Sequence, residues 1–183
     1  TEEKIFNLLA ANKNIIILEE FNPAELYEKL LTPREKKNLG QVYTPLHIIH
    51  KMLSQVSELQ NIDRNTRILD PSCGGGYFLI EAFKIIKNSI KDVNDKFIIE
   101  NMLYGIDVDD FSIFLTKTGL LFKSNCFDAR LNVFNFDYLT ASFDLGKFDI
   151  IVGNPPYVGH KNLSPEYRKE LFQKYSDVFY DKA

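Results

Sequence analysis

The sequence has 183 residues, of which 45% are hydrophobic, and this is enough for one domain with a substantial buried core. A formal net charge of -3 and a pI near 5.7 argue against a domain that binds a polyanion over its whole surface. The apolar runs are far shorter than the roughly 20 residues of a membrane span, and neither Cys73 and Cys126 nor His47 and His50 have the spacing of a disulfide framework or a complete metal site. Because the start also lacks the features of a secretory signal, we expect a cytoplasmic protein without a metal centre.

The first 39 residues are predicted to form a short helical lead. Asn22 followed by Pro23 is typical of a helix start, and the segment 32–40 repeats the scheme with a terminal glycine. After "YTP", apolar residues recur at helical spacing from Leu46 to Val56. The sequence therefore predicts two short helices before residue 40 and a third helix after it.

From residue 67 onward, short apolar runs alternate with amphipathic segments. The predicted strands are "RILD", "LYGID", "NVFNF" and "FDIIVG", and the predicted helices are "FLIEAFKIIKNSI" and "FSIFLTKTGLLF". This alternation predicts the α/β class with a doubly wound, mostly parallel sheet. Ligands bind such sheets outside the carboxyl ends of the strands, so the candidate site residues are those that follow each strand: Asp70, Asp107, Asp137 and Asn154.

A glycine-rich turn follows the first predicted strand, in "RILDPSCGGGYFLIEAF". Glycine permits close backbone approach, and the helix start that follows presents free N–H groups to an anion, so the turn suits a cofactor. Gly74 and Gly76 match the first part of a dinucleotide fingerprint, but Leu79 stands at its third glycine. Asp70 before the turn suggests a cationic group, such as the amino group of a methionine-like moiety. The alternative is a purely structural turn, and we expect Cys73 to pack without a nucleophilic role.

The second and third strand ends are also acidic. Asp107 suits the two hydroxyls of a ribose, although the 37 positions from Asp70 exceed the roughly 20 of the simplest unit, and "VNDKFIIENM" between them could hold an added helix. Its alternative role is a cap for the next helix. Asp137 could accept from an adenine amino group while Tyr138 lies against the ring, and a simple turn is the alternative there.

The fourth strand ends in "NPPY", which is the strongest signal in the chain. The Asn154 side-chain oxygen and the Pro155 carbonyl are fixed acceptors, and Tyr157 offers an aromatic face, so the set suits a planar NH2 group. Accepting both protons of such an amine would direct its lone pair to an incoming methyl group and stabilise the charge that develops. A rigid Pro-Pro turn is the structural alternative.

Taken in order, these segments closely resemble the amino-group DNA methyltransferases that use S-adenosylmethionine and modify N6 of adenine. The resemblance rests on "GQVYTP" (40–45), "ILDPSCGGGYFL" (68–79), "YGIDVD" (104–109), "NFDYL" (135–139) and "FDIIVGNPPY" (148–157). The order resembles the gamma class, which includes modification subunits of restriction systems and fused restriction-modification enzymes. The resemblance implies a Rossmann-like methyltransferase fold acting on a flipped adenine in double-stranded DNA.

The resemblance also implies roles for individual residues. The methionine end of the cofactor would be held by Val42, Tyr43, Thr44 and Pro45, and the cofactor loop would comprise Asp70, Pro71, Ser72, Cys73, Gly74 and Gly76. The ribose would lie at Asp107 and Val108, and the cofactor adenine at Asp137 and Tyr138. The catalytic set would be Asn154, Pro155, Pro156 and Tyr157, with Asn154 and Pro155 on the target N6 and Tyr157 stacked on the flipped base.

The same resemblance divides the chain into the lead, residues 1–39, and an incomplete catalytic domain, residues 40–183. It implies a C-terminally truncated domain without its target-recognition domain, and a specificity or restriction subunit or domain as a partner. The segment "YSDVFYDKA" at 175–183 resembles the opening of the family's next helix.

Two other interpretations stay open. NPPY with a glycine loop also occurs in methyltransferases that act on release-factor glutamine or on guanine in ribosomal RNA, although "GQVYTP" and Cys73 favour adenine in DNA. A different class is a catalytically inert binding or assembly module that keeps the cofactor fold. Loss of cofactor binding in a well-folded sample would support that class.

Overall fold

The computed structural model describes residues 22–25, 44–59, 61–142, 144–156 and 163–177. Four strands lie in these ranges: β1 (Ile68–Asp70), β2 (Leu103–Asp107), β3 (Asn132–Asn135) and β4 (Ile150–Ile151). They form one parallel sheet in the order β3-β2-β1-β4. Each strand lies in a segment that the sequence predicts as a strand, so the predicted α/β class and parallel sheet are confirmed.

The strand order reverses beside β1, and this determines where a ligand can bind. The chain runs outward from β1 through β2 to β3 and then returns to place β4 on the other side of β1. In open α/β sheets the crevice at such a switch point, outside the carboxyl ends of the strands, is the ligand site. Asp70 ends β1 and Asn154 follows β4, so these two predicted site residues flank the switch point.

Helices lie before, between and after the strands. They are α1 (Leu46–Leu59), α2 (Tyr77–Ser89), α3 (Asp95–Phe97), α4 (Asp110–Ser124) and α5 (Pro165–Lys174), and a π-helix at Ile98–Met102 follows α3. The three long helices predicted by periodicity, α1, α2 and α4, are confirmed. The π-helix and α3 fill the long connection to β2, where the sequence predicts an added helix.

Helix α1 packs against α2 through part of its apolar stripe. Ile49 and Leu53 are buried and Val56 packs at the edge of the core. Leu46 was expected on the same stripe, but it lies in the first turn and remains 39% exposed. Its position at the end of the helix leaves it beyond the surface that α2 covers.

A glycine in β2 lets α2 approach the sheet closely. A Cβ atom at Gly105 would lie 2.8 Å from Cδ1 of Leu79, closer than real Cβ contacts, and 3.2 Å from Sγ of Cys73, which is tighter than most. The third glycine of a dinucleotide fingerprint serves the same close packing from the helix side. Here the helix carries the large side chain and the strand carries the glycine.

Arg67 fastens the start of β1 to the segment that leads into β4. Its guanidinium lies beside the rings of Tyr104 and Phe148, at 4.5 and 4.7 Å from their centroids, and the two rings contact each other edge to face. The same group donates hydrogen bonds to the carbonyls of Leu145 and Lys147 at 2.6 and 2.7 Å. These contacts lie at the amino ends of the strands, at the edge opposite the switch point.

The ends of the chain are described only in part. The Asn22 side chain accepts a hydrogen bond from the Ala24 amide at 2.9 Å and residues 23–25 are helical, which confirms the start of the first predicted helix. The second predicted helix, at 32–40, lies outside the described residues. Residues 175–177 form a turn after α5, and the remainder of the predicted final helix is also outside the described ranges. None of the described helices is long and apolar enough to cross a membrane.

Candidate active site

The glycine-rich turn adopts a left-handed backbone and opens α2. Gly74 has φ 51° and Gly76 has φ 81°, a region that side chains rarely tolerate. A Cβ atom on Gly76 would lie 2.9 Å from Oγ1 of Thr116 on α4, so the turn is also too close to α4 for a side chain. The Thr116 hydroxyl donates to the Gly74 carbonyl at 2.8 Å and thereby fastens the turn to α4. Helix α2 begins at Tyr77, directly after this turn, so the positive end of its dipole lies next to the carboxyl end of β1.

Asp107, at the end of β2, is tied to this turn. Its Oδ2 accepts from the Gly74 amide at 2.8 Å and its Oδ1 from the Asp109 amide at 3.0 Å. The alternative role of Asp107 as a helix cap is wrong, because Asp109 caps α4 by accepting from the Ser112 amide at 2.8 Å. Each Asp107 oxygen keeps a further lone pair, and the neighbouring Val108 is 68% exposed. A carboxylate and an apolar surface therefore lie side by side at this strand end.

Asp70 is buried at the switch point. It is only 1% exposed, and its Oδ1 accepts from the Ser72 amide at 3.1 Å. Burial raises the pKa of Asp70 to about 7, the hydrogen bond from Ser72 opposes this, and the charge of Asp107 adds to it. The Ser72 hydroxyl is also buried, and it has no hydrogen-bond partner among the described residues. The crevice thus contains a carboxyl group that a cation would stabilise and a hydroxyl that is ready to pair.

Cys73 packs beneath the turn, as expected. Its Sγ lies 3.7 Å from Oγ1 of Thr116, whose hydroxyl proton is donated to the Gly74 carbonyl. Burial and the nearby charge of Asp70 raise the pKa of the Cys73 thiol well above its ordinary value. The helix N-terminus does not offset these effects, so the residue stays a neutral thiol and not a nucleophile.

The segment after β4 brings Asn154 to the start of α1. The Val152 amide donates to the Leu69 carbonyl at 2.9 Å, so the chain still follows β1 as it enters the corner. The Asn154 side-chain NH2 then donates to Oγ1 of Thr44 at 3.0 Å, which joins two residues that are 110 positions apart. No described residue donates to Asn154 Oδ1, so that oxygen remains an acceptor. Pro155 and Pro156 are exposed.

Gly153 presses the same corner against β1. A Cβ atom on Gly153 would lie 2.6 Å from Oδ1 of Asp70 and 3.6 Å from Oγ of Ser72. The structure therefore brings Asp70 and Ser72, before the glycine-rich turn, into direct proximity with the start of the NPPY motif. Three other predicted site residues, Val42, Tyr43 and Tyr157, lie outside the described residues.

Asp137, after β3, is held by a residue that the sequence analysis missed. Its Oδ1 accepts from the Leu139 amide at 2.8 Å, and its Oδ2 accepts from the Tyr167 hydroxyl of α5 at 2.6 Å. Burial, followed by the hydrogen bond and charge of Asp137, raises the pKa of Tyr167 to about 12. Tyr138 next to it is 43% exposed. The Ser164–Pro165 start of α5, with Ser164 accepting from the Tyr167 amide, was the local signal that could have revealed this helix.

The described histidines of α1 do not form a metal site. Nε2 of His50 lies 2.7 Å from Oε2 of Glu81, a buried side chain on α2 that also pairs with Lys84. Within the described part of the chain, no group of three or more His, Cys, Asp or Glu side chains is placed to hold a metal ion. His50 therefore helps to join α1 to α2.

Comparison with known proteins gives a consistent result. The model of the family described as N-6 DNA Methylase matches residues 23–181. Among curated relatives, the type II methyltransferase M.VspI of Vibrio sp. (strain 343) is 31% identical over 164 residues, which is 85% of this chain and 34% of the relative. The type II restriction enzyme and methyltransferase RM.BcgI of Heyndrickxia coagulans is 33% identical over 139 residues, 73% of this chain and 20% of the relative. The chain thus spans about a fifth to a third of these relatives.

A solved structure shares the fold. It is a modification subunit assigned to a type I restriction enzyme of Vibrio vulnificus YJ016, with a TM-score of 0.58 and 24% sequence identity. The match covers 83% of this chain and 34% of that chain. The sheet and its helices therefore form part of a known α/β architecture.

Proposed function

The chain belongs to the N-6 DNA methylase family, and we propose that its full-length protein transfers a methyl group from S-adenosylmethionine to N6 of adenine in DNA, within a restriction-modification enzyme. The observation that carries this proposal is the hydrogen bond between Asn154 Nδ2 and Thr44 Oγ1. Because the NH2 half of the amide is engaged, Oδ1 is left as the acceptor that a planar amino group requires. The amide lies at the switch point, beside the glycine turn.

The crevice fits S-adenosylmethionine, judged by the groups that line it. The glycine turn would hold the cofactor through its backbone and the start of α2, with Asp107 on the ribose and Val108 beside it. The buried Asp70 carboxyl and the unpaired Ser72 hydroxyl suit the amino end of the methionine portion. The hydrogen bond from Asn154 brings Thr44, and with it the adjacent Pro45, to the same corner. The bound cofactor supplies an electrophilic methyl group on a sulfonium centre.

The residues of the corner would prepare the target amine. Its lone pair is delocalised into the base, so it is a weak nucleophile. Asn154 Oδ1 and the Pro155 carbonyl would accept its two protons, which favours the geometry in which the lone pair points toward the methyl group and stabilises the positive charge that develops. The methylated amine is then acidic enough to lose a proton without a strong general base.

The proposed substrate is an adenine flipped out of double-stranded DNA. Extrusion of a base costs a few kcal/mol, and stacking on an aromatic ring returns about 1–3 kcal/mol per base. Tyr157 is the residue that we assign to this stacking, with Pro156 shaping the corner. The formal net charge of -3 is consistent with DNA contacts made largely by other parts of the protein.

The partners follow from the same proposal. RM.BcgI is named as both a restriction enzyme and a methyltransferase, and the structural neighbour is a modification subunit. We therefore propose that this chain works with a specificity or restriction subunit or domain, and that a target-recognition domain outside residues 40–183 selects the DNA site. The helical lead at residues 1–39 and the cytoplasmic location of the protein stay predictions from the sequence.

The test is a comparison of two asparagine variants in the full-length protein. Asn154→Ala should lower the rate of N6-methyladenine formation in unmethylated DNA by about 100-fold or more, while the affinity for S-adenosylmethionine is retained. Asn101→Ala is the matched control, because the Asn101 amide is exposed and donates to the Phe97 carbonyl, four residues earlier in the chain. Methylation is measured by mass spectrometry of digested nucleosides.

Three substrates are offered in parallel: DNA, a release factor and ribosomal RNA. Methyl transfer to a glutamine or a guanine, with none to DNA, would replace the proposal by one of the alternative substrates. A well-folded protein that methylates none of them and does not bind the cofactor would favour an inert module. Full activity of Asn154→Ala on DNA would contradict the assigned role of the amide.

A further inference from the structure

Helix α5 is fastened to the loop that follows β3 by three polar contacts. The Tyr167 hydroxyl donates to Oδ2 of Asp137 at 2.6 Å. The Tyr175 hydroxyl donates to the Leu139 carbonyl at 2.8 Å, and Nζ of Lys174 donates to the Ala141 carbonyl at 2.9 Å. Two of the contacts therefore reach the backbone, and one reaches a carboxylate.

Other contacts besides the one with the carboxylate also dock α5. Leu171, in the middle of the helix, is 4% exposed and supplies apolar burial. The bonds from Lys174 and Tyr175 already hold the end of the helix to the loop. The Tyr167 hydroxyl adds a different constraint, because Oδ1 of Asp137 is held by the Leu139 amide and Oδ2 by Tyr167, and together these fix the plane of the carboxylate.

We propose that Tyr167 is a positioning residue, which sets the Asp137 carboxylate to accept from the exocyclic amino group of the cofactor's adenine and so distinguishes adenine from hypoxanthine. This inference rests on the proposed function, which places the cofactor adenine at Asp137. Each oxygen of the fixed carboxylate has a remaining lone pair and can accept a proton from an amino group. A purine with a carbonyl at that position would instead bring an oxygen against an oxygen, with no proton between them.

The raised pKa of Tyr167, about 12, supports the geometry. The hydroxyl therefore keeps its proton at neutral pH and remains the hydrogen-bond donor to Asp137. Tyr167 is also the third residue of α5, the helix that follows the NPPY segment in the chain. Helix α5, which follows the segment proposed to bind the target base, therefore contributes a side chain that orients Asp137, the residue proposed to bind the cofactor adenine.

The test measures a ratio of affinities in the full-length protein. Dissociation constants for S-adenosylhomocysteine and S-inosylhomocysteine are determined by calorimetry for the wild type, Tyr167→Phe and Tyr175→Phe. The wild type should prefer the adenine compound, and Tyr167→Phe should reduce that preference by about tenfold, the effect of one hydrogen bond to a charged group. Tyr175→Phe removes an identical hydroxyl from the residue that follows α5 and should leave the preference unchanged.

The ratio separates positioning from a general structural role. A loss of folded protein or a displaced helix weakens binding of both compounds alike and does not change their ratio. A wild type that discriminates, together with a Tyr167→Phe variant that discriminates equally, would overturn this inference and leave the proposed function intact. A wild type that binds the two compounds equally would overturn the placement of the cofactor adenine at Asp137, and the inference with it.

Discussion

Replacing Asp70 with asparagine should stabilise the free protein at pH 8. The carboxyl group is 1% exposed, and burial raises its pKa from 3.8 to about 7, with the charge of Asp107 as a smaller contribution in the same direction. Above pH 7 the free protein therefore holds a buried negative charge, which is costly. Asparagine has nearly the same shape, and its oxygen can still accept from the Ser72 amide, so the substitution removes the charge and keeps the packing.

The pH dependence follows from the two pKa values. The unfolded chain releases the Asp70 proton near pH 4, whereas the folded protein keeps it until about pH 7. Between these limits the folded state binds more protons, so its stability falls as the pH rises through this window and levels off above it. The shift corresponds to about 4 kcal/mol at 1.36 kcal/mol per pKa unit. For a domain of this size that equals a rise in Tm of roughly 10 °C for Asp70→Asn at pH 8.

Urea denaturation at several pH values gives the required measurement. The difference in the free energy of unfolding between Asp70→Asn and the wild type should be near zero at pH 4 and should increase steadily to pH 7. The low-pH point is an internal control, because a protonated carboxyl and an amide are both neutral there. A variant that is less stable than the wild type at pH 8 would refute the reasoning, since it would mean that a partner stabilises the ionised carboxylate in the free protein.

Two further substitutions test the packing around the site. Gly153→Ala should destabilise the fold by about 1–3 kcal/mol and reduce DNA methylation, because its Cβ would lie 2.6 Å from Asp70 Oδ1 and displace the adjacent Asn154. Denaturation and methylation assays measure the two effects. Unchanged values would show that the corner can move freely. Arg67→Lys should lower stability by about 1–2 kcal/mol with cofactor affinity unchanged, because the guanidinium contacts with Tyr104 and Phe148 lie at the amino ends of the strands, far from the crevice. Calorimetric titration that showed weaker cofactor binding would contradict this separation.

The strand-end residues could be predicted because local pattern determines them. An apolar run followed by an acidic or amide side chain identifies a buried strand and the residue at its carboxyl end, and this was sufficient for Asp70, Asp107 and Asn154. The choice between two roles for Asp107 could not be made in this way. Asp109 lies two residues later in the same acidic run, and only the backbone path shows that it caps α4 while Asp107 binds the Gly74 amide.

Contacts between distant segments could not be predicted from the sequence. Asn154 meets Thr44 across 110 positions and Tyr167 meets Asp137 across 30 positions, and neither pair leaves a periodic signal. Both depend on how a helix docks at the edge of the sheet. The raised pKa of Asp70 is similar, because it results from burial beneath Gly153 and the turn and not from neighbouring residues in the sequence.

The close approach of Leu79 to Gly105 restricts movement of α2 along its own axis. A helix rises about 1.5 Å per residue, so a shift of α2 by a single residue would move the Leu79 side chain out of the hollow that Gly105 provides. The position of the start of α2, directly after the glycine turn, therefore depends on an apolar contact between α2 and β2 in the core. We therefore expect substitutions at Leu79 or Gly105 to change ligand affinity although neither residue would contact the ligand.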